Sequence, residues 1–272
     1  GTTGALLQEN ILSVGGDALG LVSKAVLAPD GRHVYALTSG RLILKWDWHH
    51  WEMVGGVRVE GGPTTLAVSP DGRMLCVGVE DGSVRFFDSS LERQVSVLQA
   101  HTQAVSACAF SPDGAQVATG GEHGSLRIWS RPPADDAETA APPPREATDC
   151  CFTPRGDAIL VCYAGQGGAM APRIQRRHAL AEIDVETGAV SEVLFGGEET
   201  GFEGVIPSPD GTRVLAMQSG LPQFFDRASG HFIHGFKSPA GVGSMTCSLD
   251  GGRIADCDHS ERIFIADMCE LE

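Results

Sequence analysis

Four basic side chains are gathered in one short segment of the sequence. Arg173, Arg176, Arg177 and His178 stand close together in an otherwise acidic chain. The planar guanidinium group of arginine donates paired hydrogen bonds that match carboxylates and phosphates. A solvated loop that pairs with the protein's own acidic surface would have the same composition. We therefore interpret the segment as a candidate partner-binding loop, with the self-paired loop as the alternative.

A second candidate contact is Trp51. It belongs, with Trp46 and Trp48, to the densest aromatic group of the chain. Trp46 and Trp48 fall on one face of a predicted strand, which predicts that both pack in the interior. Trp51 falls at a predicted turn, where an exposed indole would be a strong anchor for a partner. The sequence leaves an exposed anchor and a packed side chain equally open at this position.

Groups that could bind a metal or act as a nucleophile are poorly placed. Cys150 and Cys151 are adjacent, so on a strand their thiols point to opposite faces. Cys257, Asp258 and His259 lack the C-x-x-C spacing of a zinc site. The sequence has no Gly-x-Ser-x-Gly nucleophile elbow and no phosphate-binding loop. We therefore predict no catalytic residue, no metal and no cofactor.

The overall charge argues against nucleic acids and membranes as partners. The chain has 35 acidic residues against 20 Lys and Arg, a net charge of −15. Proteins that neutralise phosphates normally carry a basic face, and no run of about 18 apolar residues could span a bilayer. We expect no nucleic acid and no membrane. The acidic charge favours a protein or peptide partner with a basic surface.

The eight cysteines indicate a reducing compartment. Most of them lie inside apolar strand-like runs, such as 75–77 and 161–163. Free cysteine behaves as a small buried hydrophobe, and disulfides are rare in the cytosol. The N-terminus also lacks the basic and apolar regions of a signal peptide. We predict an intracellular, cytoplasmic protein without disulfides, and expect the chain to be an excised piece of a larger protein.

A turn that recurs along the sequence marks the repeating units that must position these groups. The six copies are Ala28-Pro29-Asp30-Gly31, Ser69-Pro70-Asp71-Gly72, Ser111-Pro112-Asp113-Gly114, Thr153-Pro154-Arg155-Gly156, Ser208-Pro209-Asp210-Gly211 and Ser248-Leu249-Asp250-Gly251. Their glycines are separated by 41, 42, 42, 55 and 40 residues. Such a period marks a repeat architecture, in which each unit needs its neighbours to bury its apolar face.

The third copy shows the composition of one unit. Residues 104–110, 116–119 and 125–129 are short β-rich runs separated by proline and glycine turns. A fourth run, 93–98, is visible after the second copy. Four antiparallel strands in a unit of about 42 residues are typical of one blade of a β-propeller.

The spacing resembles that of the WD-repeat family, which closes its third strand with Trp-Asp. The corresponding positions are Trp46-Asp47, Phe87-Asp88, Trp129-Ser130, Ile183-Asp184, Phe225-Asp226 and Ala266-Asp267, at 16, 16, 16, 28, 15 and 16 residues from the turn glycine. The family's buried network would map in repeat 3 to His101, Thr119, His123 and Trp129, but the family has Asp where this chain has His123. No repeat keeps the complete network. We therefore expect the blades to depend mostly on apolar packing.

These observations predict an all-β fold, a six-bladed β-propeller of four-stranded antiparallel blades in a single domain, 1–272. The predicted repeats are approximately 15–60, 61–101, 102–146, 147–196, 197–238 and 239–272 plus 4–14. The strand within 5–14 should pair with the strand at about 262–267, as N-terminal strands do in many propellers, and close the ring. Seven blades would require about 40 more residues, lost by truncation, and remain the alternative.

Two repeats are irregular. The outer strand of repeat 3 should fall between 130 and 147, where five prolines predict a frayed edge. This stretch is interpreted as a linker or as a polyproline docking peptide. Repeat 4 carries extra residues between its second and third strands, and they include 173–178. In the WD-repeat family that connection lies on the usual partner-binding face.

The resemblance implies a non-catalytic scaffold or adaptor that binds a protein or peptide partner through its face loops. Cytoskeletal and ciliary association are among the family's roles. One alternative is a propeller enzyme of the metal-dependent lactonase or hydrolase type, although Asn10 is the only asparagine available for its ligand set. Another is a self-associating structural domain that uses the edge of repeat 3 or Trp51. The sequence leaves the oligomeric state open.

Overall fold

The part of the chain that the structure describes consists of β-strands and their connections. The computed structural model describes residues 6–11, 20–122, 124–131, 137–138, 147–163, 179–195, 202–218, 221–235, 243–248, 253–258 and 262–267. Over these ranges, the structure contains no helix long and apolar enough to cross a membrane.

The strands of these ranges form six four-stranded antiparallel sheets. One sheet contains β1 (Leu6–Ile11) together with the last three strands, β22 (Gly243–Cys247), β23 (Arg253–Asp258) and β24 (Arg262–Asp267). Two further sheets contain β2 (Val22–Leu27), β3 (His33–Thr38), β4 (Leu42–Asp47) and β5 (Glu52–Arg58), then β6 (Pro63–Val68), β7 (Met74–Val79), β8 (Ser83–Asp88) and β9 (Gln94–Gln99). The others contain β10 (Val105–Phe110), β11 (Gln116–Gly121), β12 (Ser125–Ser130) and β13 (Ala137–Glu138); β14 (Ala147–Phe152), β15 (Ala158–Tyr163), β16 (Ala179–Asp184) and β17 (Val190–Phe195); and β18 (Phe202–Pro207), β19 (Arg213–Gln218), β20 (Leu221–Asp226) and β21 (Phe232–Gly235).

The sheets are arranged around a central channel. Each sheet begins with an inner strand, and the inner strands β2, β6, β10, β14, β18 and β22 contact one another in this order, with β22 also contacting β2. Every pairing within a sheet is antiparallel, and strands follow one another outward from the channel. The protein is therefore an all-β propeller of four-stranded antiparallel blades.

The N-terminal strand completes the sheet that contains the end of the chain. β1 pairs with β24 in antiparallel register, from Leu6 opposite Ala266 to Ile11 opposite Arg262. This is the pairing predicted from the sequence. It covers the edge of β24, which would otherwise offer unpaired backbone groups to other chains.

The repeated turns owe their shape to their residue types. In the second copy, proline at position 70 fixes its own φ and Gly72 takes a φ of 67°. The Asp71 carboxylate accepts hydrogen bonds from the Ser69 hydroxyl, at 2.6 Å, and from the Arg73 amide, at 3.0 Å. Such side-chain hydrogen bonds take the place of regular backbone pairing in a tight turn.

The core lies between the sheets. In the described residues the buried apolar side chains form clusters that each join neighbouring sheets. Tyr35 of β3 packs with Leu75 of β7 in the next sheet. Trp46 of β4 packs with Ala255 of β23, where the sheet that contains β2 meets the sheet that contains β22. Trp46 and Trp48 are both buried, which confirms their predicted packing.

In the blade of repeat 3, where the prolines predict a frayed edge, the described part of the outer strand is two residues long. β13 spans only Ala137–Glu138 and pairs with Ile128 and Trp129 of β12. The other described outer strands are longer, and β5 and β9 each have about half or more of their side chains exposed.

Candidate functional site in the central channel

The ring has two faces, which differ in the connections they carry. The turn face is defined by the turns between first and second strands, at 28–31, 69–72, 111–114, 153–156 and 208–211. The connection face is on the opposite side and carries the segments that join successive sheets, such as 59–62 and 100–104. Strand direction fixes this assignment, because each inner strand runs from the connection face to the turn face.

A chamber of about 500 Å³ occupies the channel on the side of the turn face. The prolines of five turns stand around its mouth: Pro29, Pro70, Pro112, Pro154 and Pro209. Its walls come from the inner strands and are mainly aliphatic, aromatic and thiol side chains, including Leu66, Phe110, Phe152 and Met245. Because every wall belongs to a paired strand, the shape of the chamber is set by the ring.

An ion pair forms the inner end of the chamber. The Lys24 ammonium on β2 lies 3.3 Å from the Asp149 carboxylate on β14, and β14 is directly across the ring from β2. Lys24 also donates to the Thr65 hydroxyl at 3.1 Å. The other oxygen of Asp149 accepts from the Val205 amide at 3.1 Å. Lys24 and Asp149 side chains are 18% and 16% exposed, so the pair is partly but not fully desolvated.

A smaller cavity of about 150 Å³ lies on the connection side of the same pair. Its lining is polar and includes Ser23, Thr64, Ser106 and Thr148. Lys24 and Asp149 line both cavities. The ion pair therefore divides the channel into an apolar chamber and a polar one.

The pair keeps Lys24 charged. Burial lowers the pKa of the Lys24 ammonium, but the attraction and hydrogen bond of Asp149 outweigh burial and bring the pKa above its ordinary value. The ammonium has three N–H donors. Two of them have acceptors, on Asp149 and Thr65, among the residues that the structure describes.

Four thiols line the apolar chamber: Cys108, Cys150, Cys151 and Cys247. Cys76, Cys108, Cys150, Cys151 and Cys162 form no disulfide among the described residues. The absence of disulfides from the whole chain stays a prediction. Burial raises the pKa of Cys150 and of Cys151, so both remain thiols at neutral pH. The two point to different inter-sheet clusters, as their adjacency predicted.

Lys24 and Asp149 are not among the residues predicted from the sequence, although the repeat contains a signal for them. The position seven residues before each turn glycine holds Lys24, Thr65, Ala107, Asp149, Gly204 and Ser244. Opposite charges occur in the first and fourth copies, whose inner strands β2 and β14 lie across the ring from each other. Comparing this one position across the repeats would have suggested a charge pair inside the channel.

A buried polar network in repeat 3 is more complete than the sequence predicted. The Thr119 hydroxyl is 2.8 Å from His101 Nε2 and accepts from Trp129 Nε1 at 2.9 Å. His101 Nδ1 is 2.7 Å from the Ser125 hydroxyl, so Ser125 supplies the partner that the family takes from aspartate. Position 123 lies outside the described residues. Burial, followed by the charge of Arg127, lowers the pKa of His101 to about 4.

Trp51 lies on the turn face, in the turn between β4 and β5. It is half-buried and packs against the cluster that contains Trp46 and Trp48. Its φ is 54°, and its indole nitrogen is buried with no hydrogen-bond partner among the described residues. This position is between the two alternatives left by the sequence, and a binding role for Trp51 stays a prediction.

Arg173, Arg176, Arg177 and His178 lie outside the described residues. The connection that contains them leaves β15 after Tyr163 and enters β16 at Ala179, and these two residues are paired opposite each other. That end of the blade belongs to the connection face. A binding role for the arginine segment stays a prediction.

The described residues contain no group of three or more His, Cys, Asp or Glu side chains arranged to hold a metal ion. The charged residues of the described channel lining are Lys24 and Asp149, which are paired with each other. The chemistry that this arrangement offers is hydrogen bonding and apolar contact.

The fold and the channel define a β-propeller with degenerate repeats. The family model for the WD domain, G-beta repeat, matches residues 57–88 and 92–130. Over these residues the chain is similar to the WD repeat, and a propeller of four-stranded antiparallel blades is consistent with the WD-repeat family. No curated protein matched the chain in a sequence search. WD-repeat propellers typically serve as protein-interaction scaffolds and are generally not enzymes.

Proposed function

We propose that this propeller is a non-catalytic scaffold or adaptor, which binds a protein or peptide partner through the loops on its faces. It acts inside the cell as a complete ring of six blades that is closed by the N-terminal strand. The match to the WD domain, G-beta repeat, supports a binding role in general. The proposals about the partner and the face that it uses rest on the residues of this chain.

The observation that carries this proposal is the preorganisation of the turns. The hydroxyl of Ser69, Ser111 or Ser208 bonds the aspartate two positions later, at 2.5–2.6 Å. An ion pair between Arg131 and Asp71, at 2.9 Å, also ties the end of one blade to the turn of the previous blade. A surface that is rigid before binding loses little conformational entropy when a partner docks.

The segment with Arg173, Arg176, Arg177 and His178 is the proposed contact on the connection face. Its arginines would pair with carboxylates of the partner, whereas the net charge of −15 would attract a partner with a basic surface elsewhere. Trp51 is the proposed contact on the turn face. Its buried indole nitrogen could donate to an acceptor of the partner once the side chain rotates or the turn adjusts.

The arginine segment is tested by a charge reversal, R173E/R176E/R177E, followed by capture of partners from the native source. Partners that use this segment should be lost while the fold, measured by circular dichroism and thermal unfolding, is retained. The matched control is R58E/R73E/R93E, which makes the same charge change at three exposed arginines on other parts of the ring. If both variants capture the same partners as the unmodified protein, the segment is not the contact.

A further inference from the structure

The apolar chamber has the dimensions of a small-molecule site. Its volume of about 500 Å³ falls within the range of about 300–1,000 Å³ that is typical of ligand pockets. Ligand pockets are mostly apolar and contain a few convergent polar groups. This chamber has such groups only at its inner end, where Lys24, Asp149 and Thr65 meet.

We propose that the chamber binds an uncharged, mainly apolar molecule with a hydrogen-bond acceptor, such as a ketone or an amide carbonyl, at its inner end. The apolar body of the molecule would contact Leu66, Phe110 and Phe152, and the acceptor would meet the Lys24 ammonium. This site is independent of the partner contacts proposed above, because it lies inside the ring.

The acceptor follows from the donor count at Lys24. Its ammonium carries three N–H groups, and two have acceptors on Asp149 and Thr65 among the described residues. Lys24 lines both the chamber and the polar cavity, so an acceptor at the inner end of the chamber is next to this ammonium. A buried donor gains from an acceptor, and hydrogen bonds to charged groups are stronger than those between neutral groups.

The absence of charge on the ligand follows from the ion pair. A carboxylate at the inner end would lie beside Asp149, and an ammonium would lie beside Lys24. Since the two charges already neutralise each other, a charged ligand would lose its hydration without gaining a free counter-ion. The net charge of −15 further disfavours an anion.

The orientation of the ligand follows from the order of the residues along the channel. The chamber opens among the prolines of the turn face and ends at the ion pair, beyond which lies the separate polar cavity. A ligand therefore enters from one face and has its polar end fixed in depth. Its outer end would lie among the prolines.

The proposal is tested with three fluorescent probes on the whole chain. Prodan is a neutral naphthalene ketone, anilinonaphthalene sulfonate is an anion with a similar naphthalene body, and diphenylhexatriene is a hydrocarbon without an acceptor. We expect prodan to bind with blue-shifted emission. Its affinity should exceed that of the sulfonate by about tenfold or more, because prodan offers a ketone acceptor to Lys24 and buries no charge.

The double variant K24M/D149N tests the inner end. It removes both charges together, and the amide oxygen at position 149 can still accept from the Val205 amide. Prodan affinity should fall by about tenfold, while diphenylhexatriene affinity stays the same. Equal loss for both probes, or no loss for either, would overturn the assignment of Lys24 as the donor.

The variant T246F tests the chamber itself and does not touch the ion pair. Thr246 is a partly exposed residue of the wall, so a phenyl ring at this position extends into the chamber. Prodan and diphenylhexatriene should both bind at least about tenfold more weakly to it. The control V97F places the same ring on the exposed strand β9 and should bind both probes normally. Binding that is absent from the unmodified protein, or that T246F leaves intact, excludes the chamber as the site.

Discussion

Thr119 shows how one small side chain can satisfy two larger ones. Its hydroxyl accepts from Trp129 Nε1 at 2.9 Å and lies 2.8 Å from His101 Nε2, while His101 Nδ1 lies 2.7 Å from the Ser125 hydroxyl. Burial lowers the pKa of His101 to about 4, so at neutral pH the imidazole is uncharged and has one donor and one acceptor for the two hydroxyls. Protonation would give the ring two donors and no acceptor, so the network is built for the neutral ring.

The stability of the protein should depend on pH through His101. The pKa of His101 is about 4 in the folded protein and about 6.5 in the unfolded chain, so the unfolded state binds more protons between these values. Stability is fully present above pH 6.5 and falls as the pH decreases toward 4. Between pH 7 and pH 5 the loss from this residue should be at most about 2 kcal/mol.

The measurement is urea unfolding at pH 7 and pH 5 for the unmodified protein and for H101Q. The variant is less stable at pH 7, because it disrupts the network, but it cannot gain the same proton. Its stability should therefore change less between the two pH values. If both proteins lose the same free energy over this range, other groups cause the pH dependence.

At the scale of the strand, Gly78 sets how closely two blades can approach. A β-carbon built at this position of β7 would be 2.6 Å from Thr65 Cγ2 and 2.7 Å from Val105 Cγ1. Val105 belongs to β10, the inner strand of the next sheet. No rotation of a side chain relieves a contact with the Cβ atom of Val105, which is 2.9 Å away. The absence of a side chain at Gly78 is therefore a requirement of the packing between sheets.

The substitution G78A should destabilise the protein by about 1–3 kcal/mol, the usual effect of overpacking a core. Equilibrium unfolding in denaturant measures the change. The matched control is G55A, a glycine-to-alanine change in β5, where the nearest atom would be 3.4 Å away. G55A should be neutral or slightly stabilising, because alanine restricts the unfolded chain. Equal effects of the two substitutions would contradict the packing argument.

The sequence predicted the strands well because the signals for them are local. Proline, aspartate and glycine at fixed spacing mark each turn, and apolar runs of about six residues mark each strand. The outer strand of repeat 3 was predicted to be frayed because proline cannot donate to a ladder. Contacts across the ring were not predicted, since they depend on how many blades there are. Lys24 and Asp149 are far apart in the sequence and meet only once the ring is closed.

The network of repeat 3 was underestimated for a related reason. The family pattern expects an aspartate at one position, and the sequence places His123 there. The structure satisfies His101 with Ser125, two residues farther along the chain. A neighbouring residue can supply the hydrogen-bond partner when the backbone brings it within reach. A comparison of single positions does not detect such a change of partner.

At the scale of the whole molecule, the ring is held together by the pairing of its two ends. β1 is the outer strand of the sheet whose other strands are β22, β23 and β24. Without β1, the edge of β24 would be open to pairing with another chain. The pairing of β1 with β24 therefore stabilises the first and the last described strands together.

Deletion of residues 1–11 should lower the midpoint of thermal unfolding by about 5 °C or more and promote self-association. Differential scanning calorimetry and light scattering measure the two effects. A synthetic peptide of residues 5–14, added in excess, should restore part of the midpoint by binding the open edge. A peptide of the same composition in scrambled order is the control. An unchanged midpoint and a monomeric mass after deletion would show that the pairing adds little.

The ion pair across the channel also depends on complete assembly of the ring. Lys24 and Asp149 belong to strands on opposite sides of the ring, so they can meet only after the blades on both sides have docked. A contact that forms after the transition state for folding has little influence on the folding rate, and it acts by slowing unfolding. Lys24 and Asp149 would then form one of the last contacts in folding. Their main effect would be to lower the unfolding rate, which sets how long the assembled propeller persists.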